Sequence, residues 1–139
     1  QKIDAGRIIL LTPPPVLDAK WAAHLAETSR PLDRGWATTL PYRDACLEIA
    51  KKENLPVIDT WTLFLGPNFA QPIDLERVDK YLGDGLHLSA EGNKMITEAI
   101  LAIIEERWPE IWHEKLEFVV PSHFDIDNGD LKRTLLKIR

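Results

Sequence analysis

An unbroken apolar run, Ile8-Ile9-Leu10-Leu11, carries on into Thr12 and stops at Pro13-Pro14-Pro15. Read as a strand from Arg7 to Thr12, it has no alternation of apolar and polar positions. Such a strand needs cover on both faces, which is the situation of strands in parallel sheets. The prolines end it by removing ladder donors. This one segment therefore selects an α/β architecture with parallel strands.

The remaining pattern fits. Asp18 can cap a helix from Ala19 to about Glu27, with Trp21, Ala22 and Leu25 inward. Residues 28 to 38 read as a loop. A helix follows from about Pro41 to Lys52, with proline in its first turn and Asn54 at its end. Tyr42, Cys46 and Ile49 share an apolar face there, which makes the single cysteine a core thiol. Leu55 to Asp59 forms a second parallel strand, Trp61 to Leu65 a helical turn, and Gly66 to Asp79 a long loop. From Ala90 to Arg107, apolar residues at Met95, Ile96, Ala99, Ile100, Ile103 and Ile104 line one side of a long helix, with Pro109 beyond its end.

The formal net charge of −5, with no basic stripe, argues against nucleic acid and anionic membrane surfaces as partners. No apolar run approaches the length of a membrane span.

Chemistry concentrates in Tyr81-Leu82-Gly83-Asp84-Gly85-Leu86-His87-Leu88-Ser89. Asp84 and His87 stand three residues apart, just before the long helix, for which Ser89 is a good N-cap. A general base needs a neutral imidazole held in one tautomer, and a carboxylate accepting its Nδ1–H does that. Gly83 and Gly85 would let the backbone bend around Asp84.

Asp84-Gly85-Leu86-His87-Leu88-Ser89-Ala90-Glu91-Gly92-Asn93 resembles the last signature block of the SGNH, or GDSL-type, hydrolases. Ile8 to Val16 resembles the strand and proline turn of the isoamyl acetate-hydrolysing esterase-like members, and the order of blocks agrees over roughly residues 7 to 112. The resemblance implies a three-layer α/β/α flavodoxin-like domain. It implies hydrolysis of small acyl esters by a Ser–His–Asp triad, without a metal or other cofactor. Asp84 would be the triad acid and His87 the base.

That family carries its nucleophile in a Gly-Asp-Ser block near the N-terminus, followed by a glycine and an asparagine that form the oxyanion hole. None of these blocks occurs in this sequence, and Gly83-Asp84-Gly85 lacks the hydroxyl. The chain, starting at Gln1, thus reads as the C-terminal half of such a domain over residues 1–112, with the N-terminal half missing and 113–139 as a tail or arm. On this reading it is inactive alone, cytoplasmic, and prone to self-association or to complementation by the other half. The alternatives are a non-catalytic fragment or interaction protein, and an enzyme passing the acyl group to an acceptor other than water.

Other candidates fare worse. Of the serines, Ser89 is a helix cap, and neither Ser29 nor Ser122 has the glycine-flanked setting of a nucleophile. Asp125 to Asp130 looks like a calcium loop, but its glycine comes one place early and Leu136 stands where a bidentate glutamate is needed. His24, His113 and His123 have no ligand-like spacing and read as surface or rim residues. Trp61 and Trp108 read as core, whereas Trp36 and the Gly66-Pro67-Asn68-Phe69 loop are placed to reach an acyl pocket. Ligands of open α/β sheets bind at the carboxyl ends of strands, which puts Thr12, Pro13, Pro14 and the Asp84–His87 loop on one rim.

Overall fold

The computed structural model describes residues 5–67, 69 and 75–112. Two short strands, β1 (Leu10–Leu11) and β2 (Val57–Ile58), pair in parallel with Leu10 opposite Val57 and Leu11 opposite Ile58. Among the described residues five α-helices accompany them: α1 (Asp18–Ala26), α2 (Trp36–Glu53), α3 (Thr60–Leu65), α4 (Leu75–Asp79) and α5 (Ala90–Arg107). The chain divides into two compact units, Gln1–Ile103 and Ile104–Arg139. The sheet, α1 to α4 and most of α5 lie in the first; the end of α5 and a 3-10 turn over Pro109–Ile111 lie in the second.

The parallel pairing and α/β character agree with the sequence, but both strands are shorter than expected. Ala5–Arg7 forms a 3-10 turn instead of opening β1. Where the strands end, side chains take over the pairing. Thr12 and Thr60, both buried, bond through their hydroxyls at 2.9 Å, and the Thr60 amide donates to Thr12 Oγ1 at 3.0 Å. Trp61 Nε1 donates to the Pro13 carbonyl at 2.8 Å. These bonds satisfy backbone groups that the proline run would otherwise leave buried and orphaned. Thr12 is consumed by this latch and does not line an open rim.

Helix α2 begins five residues before Pro41, inside the segment that reads as a loop. Its start depends on a partner far away in sequence. Asp18 does not cap its own helix, where Leu17 holds the cap position without a side-chain bond. Its Oδ1 instead accepts the Trp36 amide at 2.7 Å, at the N-terminus of α2. There the positive end of the helix and an orphan donor both favour a carboxylate. Pro41 consequently sits in the second turn. At the other end Asn54, at φ 53°, closes the helix in left-handed conformation.

The buried face of α2 also differs from expectation. Trp36 and Ala50 are buried and Leu40 packs on the core, while Tyr42 and Ile49 are 70% and 51% exposed and Cys46 is only half-buried. Arg43 decides the rotation. Its guanidinium clamps Asp59 through Nε at 2.9 Å and Nη2 at 2.5 Å, and lies over the Phe69 ring. Bidentate geometry of this kind fixes orientation. Asp59 is at the same time the N-cap of α3, accepting from the Trp61 amide and from Thr62 Oγ1.

Trp36 belongs to the core, contrary to the expectation that it reaches a ligand. It lies 4.3 Å from the Trp61 ring, within a cluster of Leu17, Leu65, Val78 and Leu82, against which Phe69 packs. Helix α4 replaces the end of the expected long loop, and its Val78 is buried within that cluster. Val16, Trp21 and Leu25 form a second cluster with Leu86 against it. Helix α5 has its expected bounds, although only Gly92 and Ile96 on it are fully buried. No helix among the described residues is long and apolar enough to cross a membrane. The tail segments, His113, Ser122, His123 and the Asp125–Asp130 run, lie outside the described residues.

Candidate active site

Residues 82–88 form a closed loop between α4 and α5. Leu82 and Leu88 bridge in antiparallel fashion, and the Gly83 amide donates to the His87 carbonyl at 2.8 Å. The bend itself falls on Gly85, whose φ is +94°. A Cβ there would stand 2.7 Å from the Trp21 amide nitrogen and 3.0 Å from the Leu17 carbonyl. Its own carbonyl accepts the Leu17 amide at 2.8 Å. The loop is therefore seated backbone to backbone on the first turn of α1, at a spot only glycine fits. Gly83 has ordinary φ and room for a methyl group, so the bend does not require it.

This seating folds Asp84 back over the residues that follow it. Oδ1 accepts the amides of Leu86 at 2.9 Å and His87 at 2.7 Å, and Oδ2 lies 2.7 Å from His87 Nδ1. Burial raises the carboxyl's proton affinity, but the bonds from the His87 ring and the two amides outweigh it and hold Asp84 well below the usual carboxylate range. An ionised carboxylate can only accept, so Nδ1 carries the proton and the lone pair of a neutral His87 sits on Nε2. The His87 side chain is 70% exposed while Asp84 is 20% exposed. An oriented imidazole thus presents its basic nitrogen outward, a geometry from which a side chain can accept a proton.

Ser89 acts as the expected cap. Its hydroxyl accepts the Gly92 amide at 3.1 Å and donates to the Lys80 carbonyl at 2.5 Å. Both bonds hold the start of α5 and commit the oxygen elsewhere. Ser29 lies just past α1 with φ 54°, in a turn closed by its amide on the Ala26 carbonyl. Pro13, Pro14 and Leu86 line a cleft of about 480 Å³ together with Val16, Thr38 and Tyr42. The proline turn and Leu86 of the 82–88 loop are thus neighbours. Among the described residues no group of three or more His, Cys, Asp or Glu side chains is arranged to hold a metal ion.

The sequence reading missed the contribution of α1. His24 Nε2 stands 3.8 Å from Asp84 Oδ2 and its ring stacks on Trp21, which in turn meets the His87 ring edge-on at 5.7 Å. Sixty residues separate His24 from Asp84, and only the i, i+3 spacing of Trp21 and His24 on one helix side is visible locally.

Asp59 is held below the usual carboxylate range as well. Burial pushes it up, and the bonds from Arg43 and Thr62 more than reverse this. Both carboxylates have folded values below their unfolded ones, so their contribution to stability is complete above about pH 5. It is lost as the pH falls through the depressed values. Thermal melts should hold steady from neutral pH to about 5 and then drop steeply. Asp59→Asn should melt lower at neutral pH with a shallower acid limb; an acid limb as steep as that of the unmodified chain would contradict this assignment.

No family model matches the chain. Among curated proteins it is 31% identical over 134 residues to an isoamyl acetate-hydrolyzing esterase 1 homolog of Bos taurus, covering 96% of this chain and 49% of that protein. It is 31% identical over 144 residues to the GDSL esterase/lipase CPRD49 of Arabidopsis thaliana, covering 95% and 50%. The rice GDSL esterase/lipase WDL1 is 31% identical over 123 residues, covering 88% and 44%. The chain spans about half the length of these relatives. Agreement over nearly the whole of this chain, with proteins from animals and plants alike, relates it to the SGNH, or GDSL-type, hydrolases.

Proposed function

We propose that this chain supplies the acid–base pair of a carboxylic ester hydrolase acting on small acyl esters, within a partial α/β/α flavodoxin-like domain. The observation that carries the proposal is the Asp84–His87 bond of 2.7 Å beside an outward-facing Nε2. A serine from the complementary half of the domain attacks the ester carbonyl while His87 Nε2 takes its proton. The tetrahedral intermediate collapses, and His87 returns the proton to the departing alcohol. Water then repeats the sequence on the acyl-enzyme and releases the acid. Asp84 keeps the tautomer and stabilises the imidazolium. The oxyanion donors come from the complementary half. The cleft beside Leu86 is the place in this chain for part of the ester.

The test uses p-nitrophenyl acetate. Purified residues 1–139 should turn it over no faster than the His87→Ala variant. With a complementary half from a close relative, carrying the Gly-Asp-Ser block, hydrolysis should appear. His87-dependent turnover by the chain alone would refute the assignment of the nucleophile to another segment.

Leu11, Tyr42 and Ile49 are exposed apolar side chains, and each strand of the sheet is paired on one side only among the described residues. Open edges and apolar faces favour association. The chain alone should sediment with a concentration-dependent mass, and the complementary half should convert it to a defined complex. A concentration-independent monomer with a sharp melt would contradict this.

A further inference from the structure

One imidazole beside the pair has no part in the mechanism above. His24 Nε2 approaches Asp84 Oδ2 to 3.8 Å, and that same oxygen holds His87 Nδ1 at 2.7 Å. The His24 ring is kept in place by its stack on Trp21, at 5.2 Å and 17° between planes. Trp21 is itself anchored: it is 2% exposed and its indole N–H donates to Asp33 at 2.9 Å. One carboxylate oxygen therefore faces two imidazoles, with a buried indole touching both rings.

The other charged groups around α1 are engaged elsewhere. Lys20 Nζ donates to Asp79 Oδ1 at 2.7 Å and to the Leu82 carbonyl at 2.9 Å. Asp33 takes the Trp21 indole and pairs with Arg30 at 3.6 Å. Glu27, the C-cap of α1, is exposed. Asp84 is thus the carboxylate that His24 meets in an ion pair.

We infer that His24 is a positioning residue for the Asp84–His87 pair, a second partner of Oδ2 whose protonation competes with His87 for the same oxygen. The inference rests on reading Asp84 and His87 as the acid–base pair. A proton on His24 places a cation against Oδ2, draws charge away from the Nδ1 bond and opposes the proton that His87 must accept. Neutral His24 leaves that oxygen to His87.

Histidine ring resonances of the full chain, followed by NMR against pH, test this without requiring activity. His24→Phe keeps an aromatic ring on Trp21 and removes the charge; His24→Gln keeps a polar end and removes it as well. In both variants His87 should bind its proton about twofold more tightly than in the unmodified chain, the scale for two exposed, screened charges. Asp84→Asn should displace the His87 curve in the opposite direction. Identical His87 curves with and without His24 would overturn the inference, while a displaced curve in Asp84→Asn would leave the acid–base reading standing. A His87 curve unmoved by Asp84→Asn would overturn both.

Discussion

In the reconstituted enzyme, Asp84→Asn should lower kcat by on the order of 10⁴, the loss known for a triad whose carboxylate is replaced by its amide. The amide cannot fix the tautomer, because its nitrogen would face Nδ1 as a donor in one orientation and its oxygen is a weaker acceptor in the other. His87→Ala should nearly abolish turnover, since it removes the imidazole that Asp84 orients. Ser89→Ala, two residues along, should behave differently. It removes the cap bond to the Gly92 amide and should cost about 1 kcal/mol of stability with little change in chemistry. Steady-state kinetics and urea unfolding on the three variants separate these effects. Full activity in Asp84→Asn together with loss of activity in Ser89→Ala would reverse the roles assigned to the loop.

Gly85→Ala should be the most damaging substitution in the loop that alters neither Asp84 nor His87. Left-handed backbone costs a side-chain-bearing residue about 1–2 kcal/mol. The new methyl group would also press on the Trp21 amide and the Leu17 carbonyl, which belong to backbone and cannot swing aside. Overpacking of that kind costs a further ~1–3 kcal/mol. Unfolding should therefore be easier by roughly 2–5 kcal/mol, with loss of the 2.7 Å Asp84–His87 bond even in the fraction that stays folded. Gly83→Ala is the matched control. With ordinary φ and its nearest neighbour at 3.8 Å, it should stay within about 0.5 kcal/mol of the unmodified chain. Equal losses at the two glycines would show that the seating on α1 does not hold the loop.

The contrast between those glycines indicates what was legible in the sequence. Gly83 and Gly85 look alike from their neighbours, and only the approach of α1 tells them apart. Features set by adjacent residues were readable: the Asp84–His87 spacing, the Ser89 cap, the bounds of α5, the Asn54 stop and the parallel sense of two short apolar runs. Features set at long range were not. The start of α2 depends on the carboxylate of Asp18, and the rotation of α2 on the clamp between Arg43 and Asp59. Trp36 looked like a ligand platform because nothing beside it in sequence announces Trp61. Cys46 looked like core because Tyr42 and Ile49 are apolar, yet burial of that face was never decided by apolarity alone. The same holds for the site: the pair was visible, whereas His24 and Trp21 reach it only through the fold.

The most direct test of the central claim, that Asp84 and His87 serve a serine lying in another segment, is active-site labelling with a fluorophosphonate ester. Applied to the complex of this chain with a complementary half carrying the Gly-Asp-Ser block, the reagent should modify one serine, in that block, at a rate that collapses in His87→Ala. Modification of Ser29, Ser89 or Ser122 in this chain, or labelling of the Gly-Asp-Ser serine that is indifferent to His87, would contradict the account.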